Sequence, residues 1–140
     1  MSSLFILDAS VAVKWFFLEE PLRKNALEVR GYLVQHPKNF LVPSLFYTEL
    51  LHVLAKKSQG DFDFVSESID AVLRLGIRSA SLSSDGFSRA AQLTCNGLSG
   101  YDATYAALAV ENKGKWLTAD VKALKKVESR FSLSLEKFKP

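Results

Sequence analysis

Four acidic side chains, widely spaced along the chain, stand where predicted strands end or where predicted helices pack. They are Asp8, Glu49, Asp102 and Asp120. Two carboxylates about 5 Å apart repel by roughly 3 kcal/mol at an effective dielectric constant near 20, and a divalent cation removes that penalty. Ligands made only of oxygen suit Mg²⁺ or Mn²⁺, whereas structural zinc needs a cluster of cysteine and histidine. Four converging acids therefore predict a divalent-metal site, and one or two such ions could activate water and hold a phosphodiester for attack, as in metal-dependent nucleases.

Two of these acids follow apolar segments that are typical of buried strands. Asp8 comes after segment 4–7, and Asp120 comes after segment 115–118. Each could also be the N-cap of the helix that follows, and for either acid alone that structural role is the simpler explanation. In a sheet of parallel strands, ligands bind beyond the carboxyl ends, where the strand order reverses. We therefore expect the two acids to meet if their strands are neighbours at that point.

The other two acids are predicted to lie on helices. Glu49 stands within an apolar stretch, past the first turn of its helix, so capping does not explain it. An unpaired carboxylate would be costly to bury there, and the candidate partners within two turns are His52 and Lys56. Asp102 follows Ser99 by three residues, which resembles a capping box. Glu49 is therefore the acid for which a purely structural role is hardest to find.

Strand-like and helical segments alternate along the chain, which is typical of an α/β domain with a mostly parallel sheet covered on both faces. Strands are predicted at 4–7, 40–42, 77–81, 115–118 and 131–135. Helices are predicted at 10–17, 21–35, 44–57, 62–75, 84–95, 101–112 and 121–127. Ser84 and Ser99 are predicted N-caps, and Gly76 and Gly114 are predicted to end helices.

Length and composition limit the possible architecture. A chain of 140 residues that is 48% hydrophobic can form one sizeable core, so we expect one domain spanning 1–140. No apolar run approaches the roughly 20 residues that span a bilayer, and no basic region typical of a signal peptide begins the chain. We therefore expect a cytoplasmic protein without membrane contacts. The single cysteine, Cys95, lies in a helical pattern beside Ala90 and Leu93, which favours a small core residue.

Basic residues border the acids in the sequence. They are Lys14, Arg23, Lys24, Lys122, Lys125, Lys126 and Arg130. A solvated helix face is the simplest explanation for them, and contact with nucleic acid is the alternative. The formal net charge of +3 is compatible with a nucleic-acid partner but does not decide between the two.

Four motifs, in the same order and with similar spacing, resemble those of PIN-domain ribonucleases. They are Asp8-Ala9-Ser10 with Val13-Lys14-Trp15-Phe16, Pro43-x-Leu45-x-x-x-Glu49, Tyr101-Asp102-Ala103-x-Tyr105-x-x-Leu108-Ala109, and Leu117-Thr118-Ala119-Asp120. The resemblance covers 4–135 and is greatest to the VapC-type toxins of prokaryotic toxin–antitoxin pairs. It implies a three-layer α/β/α fold with a mostly parallel five-stranded sheet. It also implies an endoribonuclease that uses Mg²⁺ or Mn²⁺ to hydrolyse RNA.

The same resemblance implies roles for individual residues and partners. The metal site and the catalytic acids would be Asp8, Glu49, Asp102 and Asp120. Ser10 and Thr118 match hydroxyl residues that orient carboxylates or metal-bound waters. A homodimer and a cognate antitoxin protein are also implied. The one departure is His52, where such proteins often carry asparagine, and a partly buried histidine without a catalytic role is the simplest expectation.

Two functions of other classes are alternatives to the nuclease. A non-catalytic PIN-like module would bind RNA or a protein without cutting, and the presence of all four acids argues against it. A receiver-like phosphoacceptor domain also gathers acids at strand ends. That fold needs a phosphorylatable aspartate at the end of its third strand, whereas the third predicted strand here ends near Ser81.

Overall fold

The structure, a computed structural model, describes residues 3–140, in which five strands alternate with seven α-helices. The strands are β1 (Phe5–Leu7), β2 (Phe40–Val42), β3 (Arg78–Ser79), β4 (Lys115–Thr118) and β5 (Ser132–Ser134). The helices are α1 (Ala9–Val13), α2 (Arg23–Gln35), α3 (Leu45–Lys57), α4 (Phe62–Leu73), α5 (Ser84–Cys95), α6 (Gly100–Glu111) and α7 (Val121–Leu124). None of these helices is both long and apolar enough to cross a membrane. Every predicted strand and helix is present, and most are shorter than predicted.

The five strands form one parallel sheet in the order β3-β2-β1-β4-β5. Phe5 of β1 is paired with Phe40 of β2 on one side and with Lys115 of β4 on the other. The chain moves outward from β1 to β3 and then returns to the far side of β1 for β4 and β5. The strand order therefore reverses between β1 and β4, which confirms that these two strands are neighbours at the switch point.

The sheet is covered on both of its faces. All three residues of β1 are buried, and so are all three residues of β2. Because successive side chains of a strand point to opposite faces, continuous burial requires helices on both sides. The predicted α/β/α arrangement is confirmed. Fully buried Leu50 and Leu54 belong to α3, and fully buried Leu33 belongs to α2. Burial of each such side chain contributes about 1.5–3 kcal/mol.

Helix α1 ends four residues earlier than the sequence pattern predicts. Beyond Val13 the backbone continues in tighter turns, with the Trp15 N–H donating to Ala12 at 3.0 Å and the Phe16 N–H donating to Val13 at 3.1 Å. The buried Trp15 indole donates to the carbonyl oxygen of Ala26 in α2 at 2.8 Å. Tertiary packing of this tryptophan therefore overrides the helical periodicity.

The N-caps of α5 and α6 were predicted with different success. The N-cap of α5 is Ser83, whose hydroxyl accepts a hydrogen bond from the Gly86 N–H at 3.2 Å. The prediction of Ser84 was wrong by one position, because either of two adjacent serines satisfies the same pattern. Ser99 is confirmed as the N-cap of α6, since its hydroxyl accepts from the Asp102 N–H at 3.0 Å.

The two glycines predicted to end helices have different physical roles. Gly76, with a φ of +67°, adopts the left-handed conformation in the turn after α4. Near the end of α6 the left-handed residue is Lys113, at a φ of 55°. Gly114 is instead required by close packing, because a Cβ atom there would lie 2.7 Å from the carbonyl oxygen of Leu4. Glycine thus lets β4 begin directly beside the residue that precedes β1.

Cys95 is exposed, so the prediction that it is a core residue was wrong. The buried positions of α5 are Gly86 and Ala90. At 100° per residue, Cys95 lies about 140° around the helix from Ala90 and about 180° from Gly86. As the last residue of the helix, it points away from the core.

Candidate active site

A pocket at the carboxyl ends of β1 and β4 brings the four predicted acids together. It is lined by Asp8, Glu49, Asp102 and Asp120. Its volume is about 460 Å³, which is within the range of ligand-binding pockets. The pocket lies at the reversal of strand order, where open α/β sheets bind their ligands. Residues separated by more than a hundred positions in the sequence therefore share one cavity.

Asp8 is the most deeply buried of the four acids, with only 7% of its surface exposed. Its Oδ1 accepts from the Ser10 N–H at 2.9 Å as the N-cap of α1. Its Oδ2 accepts from the Trp116 indole Nε1–H at 2.8 Å. Burial raises the pKa of Asp8, and these two hydrogen bonds offset part of the rise. The capping role that the sequence suggested is real, and it coexists with a place in the pocket.

Asp120 combines the same two roles. It is the N-cap of α7, where its Oδ1 accepts from the Lys122 N–H at 3.1 Å and from the Ala123 N–H at 3.3 Å. Its Oδ2 accepts no hydrogen bond from residues 3–140. One oxygen therefore fixes the side chain, and the second keeps its capacity to bind a ligand.

Two hydroxyl groups join the loops that carry these strand-end acids. The Oγ of Ser10 lies 3.2 Å from the Oγ1 of Thr118 and accepts from the Ala119 N–H at 3.1 Å. The Oγ1 of Thr118 also accepts from the backbone N–H of Asp120 at 3.1 Å. Neither hydroxyl has hydrogen-bond geometry to a carboxylate in the part of the chain described, although both lie near enough to Asp8 to lower its pKa. They hold the two acids in place through the backbone.

Glu49 lies half-buried on α3, and its Oε1 is enclosed by protein atoms without a hydrogen-bond partner within residues 3–140. The hydroxyl of Tyr105 is likewise buried and unpartnered. Their separation does not meet hydrogen-bond geometry, although the hydroxyl is near enough to lower the pKa of Glu49. Neither candidate partner suggested by the sequence, His52 or Lys56, forms a hydrogen bond or ion pair with this carboxylate within residues 3–140. The Oε1 of Glu49 and the hydroxyl of Tyr105 are therefore buried near each other, each without a hydrogen-bond partner within residues 3–140.

The acids affect one another electrostatically. Burial raises the pKa of Glu49 and of Asp102 more than any other cause does. The charge of Asp8 raises both values further, Asp102 adds to the rise at Glu49, and Asp120 adds to the rise at Asp102. Burial and the charges of Asp8 and Glu49 also raise the pKa of the Tyr105 hydroxyl. A cation in the pocket would relieve this shared repulsion.

The donor set fits a hard divalent cation in its chemistry. All four side chains are carboxylates, and the buried Oε1 of Glu49 has no other partner among the residues described. No three Asp, Glu, His or Cys side chains within residues 3–140, however, lie close enough together to bind one ion as they stand. The pocket therefore supplies suitable ligands without a closed coordination shell.

Residues 5–129 match the family model of the PIN domain. The chain belongs to the PIN domain family. The match covers β1 to β4 and all seven helices, and it therefore includes every acid of the pocket.

Two solved structures share the fold of this PIN domain. PAE2754 from Pyrobaculum aerophilum is 20% identical and has a TM-score of 0.69, with 97% of this chain and 92% of that chain covered. VapBC2 from Rickettsia felis, bound to a DNA fragment from their promoter, is 15% identical and also has a TM-score of 0.69, with 94% of this chain and 98% of that chain covered. At these identities the likeness shows the fold alone. A comparison with curated protein sequences gave no significant match.

His52 is exposed, so the expectation that it is partly buried was wrong. The buried positions of α3 are Phe46, Leu50 and Leu54, and His52 lies about 200° around the helix from each of the last two. It lines a smaller neighbouring pocket together with Glu49 and other residues of α3. The histidine therefore borders the acid pocket of the PIN domain from the solvent side.

Two aromatic residues next to the acids, Tyr105 and Trp116, were not predicted as site residues. Trp116 holds Asp8, and its ring is stacked on Tyr105 with a centroid distance of 6.3 Å and an interplanar angle of 11°. Tyr105 follows Asp102 by three residues, and this spacing on one helix face could have identified it. No local pattern identifies Trp116 as the partner of Asp8, because 108 positions separate the two residues.

Proposed function

We propose that this PIN-domain protein is a metal-dependent endoribonuclease that hydrolyses phosphodiester bonds of RNA. The observation that carries the proposal is the convergence of four carboxylates in one pocket, where burial and the neighbouring acids raise the pKa values of Glu49 and Asp102. Buried or half-buried acids that repel one another reduce stability unless they serve a ligand. Mg²⁺ or Mn²⁺ would be held by Asp8, Glu49, Asp102 and Asp120.

The chain's own side chains contribute position and charge. A bound ion would supply a water of lowered pKa and stabilise negative charge on the phosphate oxygens. Trp116 and the backbone N–H of Ser10 fix both oxygens of Asp8. The Oε1 of Glu49 and the Oδ2 of Asp120 accept no hydrogen bond from residues 3–140, which leaves both available as acceptors. No nucleophilic side chain and no covalent intermediate are needed for this chemistry.

The direct test is RNA cleavage by purified protein with Mg²⁺, Mn²⁺ or EDTA, on a mixed panel of RNAs. We expect metal-dependent cutting that is lost in Asp102→Asn. Asp85→Asn is the matched control, because Asp85 lies in the first turn of α5 as Asp102 lies in the first turn of α6, but outside the acid pocket. Equal cutting by the Asp102→Asn variant would contradict the assignment.

A non-catalytic PIN-like binding module is the alternative. The observation that favours it is the absence of a closed metal-binding cluster within residues 3–140. Calorimetric titration with Mg²⁺ and Mn²⁺ separates the two functions. Ion binding that is lost in Asp102→Asn would support the nuclease. RNA binding without ion binding or cleavage would support the module.

We also propose that the protein is the toxin of a type II toxin–antitoxin pair, acts in the cytoplasm and forms a homodimer. The four PIN motifs and the fold shared with VapBC2 support this proposal. Co-expression with the product of the adjacent gene, followed by light scattering of the purified complex, tests both the partner and the dimer. An isolated monomer that neither arrests growth nor binds that product would contradict it.

A further inference from the structure

A second charged group lines the same pocket as the acids. It consists of Lys14, Glu20 and Lys57, and we call it the lysine group. The Nζ of Lys14 lies 3.6 Å from Oε1 of Glu20, and the Nζ of Lys57 lies 3.1 Å from Oε2. Two positive charges and one negative charge leave the group with a formal net charge of +1. Part of the pocket wall therefore favours anions, although the four acids oppose them.

Lys14 is unusual because only 6% of its surface is exposed. Lysine is rarely buried to this extent, since removing an ammonium group from water is costly unless it is well paired. Its Nζ donates no hydrogen bond to any residue from 3 to 140, and the single ion pair with Glu20 is long. The ammonium group therefore keeps unused donor capacity at the wall of the pocket.

The other two members are held in place by contacts of their own. Lys57, the last residue of α3, donates to Glu20 and lies over the ring of Phe17, with its Nζ 5.1 Å from the centroid. That ring packs against Phe64 of α4 at a centroid distance of 5.5 Å. Each oxygen of Glu20 faces one lysine, so the carboxylate holds both ammonium groups at the pocket wall. An ammonium group has three N–H donors, and those that do not face Glu20 remain for a second anion.

We propose that the lysine group binds a backbone phosphate of the RNA strand that enters the acid pocket. A phosphodiester has two free oxygens, and lysine binds phosphate as a compact positive charge with several donors. Four carboxylates repel the phosphates of a strand, and ammonium groups on the same wall offset that repulsion in addition to any bound metal ion. The inference rests on the proposed ribonuclease function and assigns it a substrate subsite. Glu20 keeps the two ammonium groups apart and oriented.

The test is binding of a fluorescein-labelled single-stranded RNA, followed by anisotropy over a salt series. An Asp102→Asn parent with EDTA present prevents cleavage during the measurement. Lys14→Met retains the aliphatic stem, and Lys57→Gln removes the second charge. Lys56→Gln is the matched control, because this exposed neighbour on α3 lies outside the pocket and changes the net charge equally.

We expect each pocket variant to reduce the slope of log K against log salt by about 0.7, the value for one phosphate contact on a single strand. The corresponding loss of affinity is about five-fold near 0.1 M salt. Lys56→Gln should retain the slope of the parent. A side chain that serves only the fold would not change this slope, so the measurement separates phosphate binding from a structural role.

Two outcomes would overturn the inference, and they are distinguishable. If the unmodified protein cuts RNA while both pocket variants bind as Lys56→Gln does, the phosphate subsite is wrong and the ribonuclease stands. If the unmodified protein neither binds nor cuts RNA, both proposals fail. Circular dichroism checks each variant for folding. Should Lys14→Met not fold, Lys57→Gln decides alone, since 34% of the Lys57 side chain is already exposed.

Discussion

The strand-end acids and the helix-borne acids of the pocket are held in different ways. Asp8 and Asp120, beyond β1 and β4, each accept hydrogen bonds as N-caps of the helices that follow. Glu49 on α3 and Asp102 on α6 accept none from residues 3–140. Capping thus fixes one half of the site within the secondary structure. The other half consists of carboxylates whose pKa values stay raised by burial and repulsion, although the hydroxyls of Tyr105 and Ser99 offset part of the rise. A bound cation would stabilise this half most.

The largest expected effect is loss of RNA cleavage, and it should be equal for an acid from either half of the site. Asp8→Asn and Asp102→Asn should each lower kcat/KM for metal-dependent RNA cleavage by more than about a hundred-fold, the loss that misplacing a reacting group already causes. The measurement is an initial-rate assay with Mg²⁺, and Asp85→Asn is the control. If only the strand-end variant lost activity, the helix-borne acids would lie outside the catalytic machinery.

A smaller effect should come from the loop that carries the strand-end acid Asp120. Thr118→Val removes the hydroxyl that accepts from the Asp120 N–H and contacts Ser10. We expect cleavage to fall about 10- to 100-fold, as is typical when a partner that orients a metal ligand is removed. Thr104→Val on α6 is the control, because that hydroxyl donates only within its own helix, to Gly100. Unchanged kcat in Thr118→Val would contradict the positioning role.

Without metal, substituting a strand-end acid should lower the free energy of unfolding, whereas substituting a helix-borne acid should raise it. Asp120→Ala removes the N-cap of α7 and should lower the free energy of unfolding by about 1 kcal/mol. Asp102→Asn removes a repelled charge and should raise it by roughly 0.5 kcal/mol, since half-exposed charges are screened by water. Denaturant unfolding in EDTA measures both. Changes of the same sign would remove the distinction between the halves.

The smallest effect concerns the pH dependence of stability. The folded-state pKa values of Asp8, Glu49 and Asp102 lie above the ordinary values of 3.8 for aspartate and 4.5 for glutamate. Each group therefore contributes stability that is fully present below its unfolded pKa and lost as pH rises through the folded pKa. In EDTA, the unfolding free energy of Asp102→Asn should fall less steeply over this window than that of the unmodified protein. Parallel curves would contradict the raised pKa of Asp102.

The strand-end half of the site could be predicted from local patterns. Asp8 and Asp120 follow apolar runs whose ends mark one edge of a parallel sheet, and capping rules add support. For Glu49, the sequence showed only that no capping role explains the acid. For Asp102, the spacing from Ser99 also fitted a capping box, so its place in the site was less evident. The predicted helix starts near Ser44 and Ser99 allowed both acids to reach the same crevice, and the family motifs added support. The difference arises because strand ends converge by topology, whereas helix faces converge only through packing.

The errors in the predicted structure have two causes. α1 ends early because Trp15 bonds to Ala26, which the helical periodicity of 10–17 does not reveal. Cys95 and His52 were placed inward by their apolar neighbours in sequence, but both lie on helix faces turned away from the core. A contact between distant segments decides the end of α1, whereas the position of the buried face around each helix decides the exposure of Cys95 and His52. Periodicity measures the local pattern and cannot weigh such contacts.

The hydrogen bond between Trp116 and Asp8 gives the protein an intrinsic optical reporter. The chain has two tryptophans, and only Trp116 donates its indole N–H to a carboxylate of the pocket. Trp15 donates to the backbone carbonyl of Ala26. Indole fluorescence responds to charge placed beside the ring, so a cation bound beside Asp8 would change the emission of Trp116. Occupancy of the pocket can therefore be followed by fluorescence in the unlabelled protein.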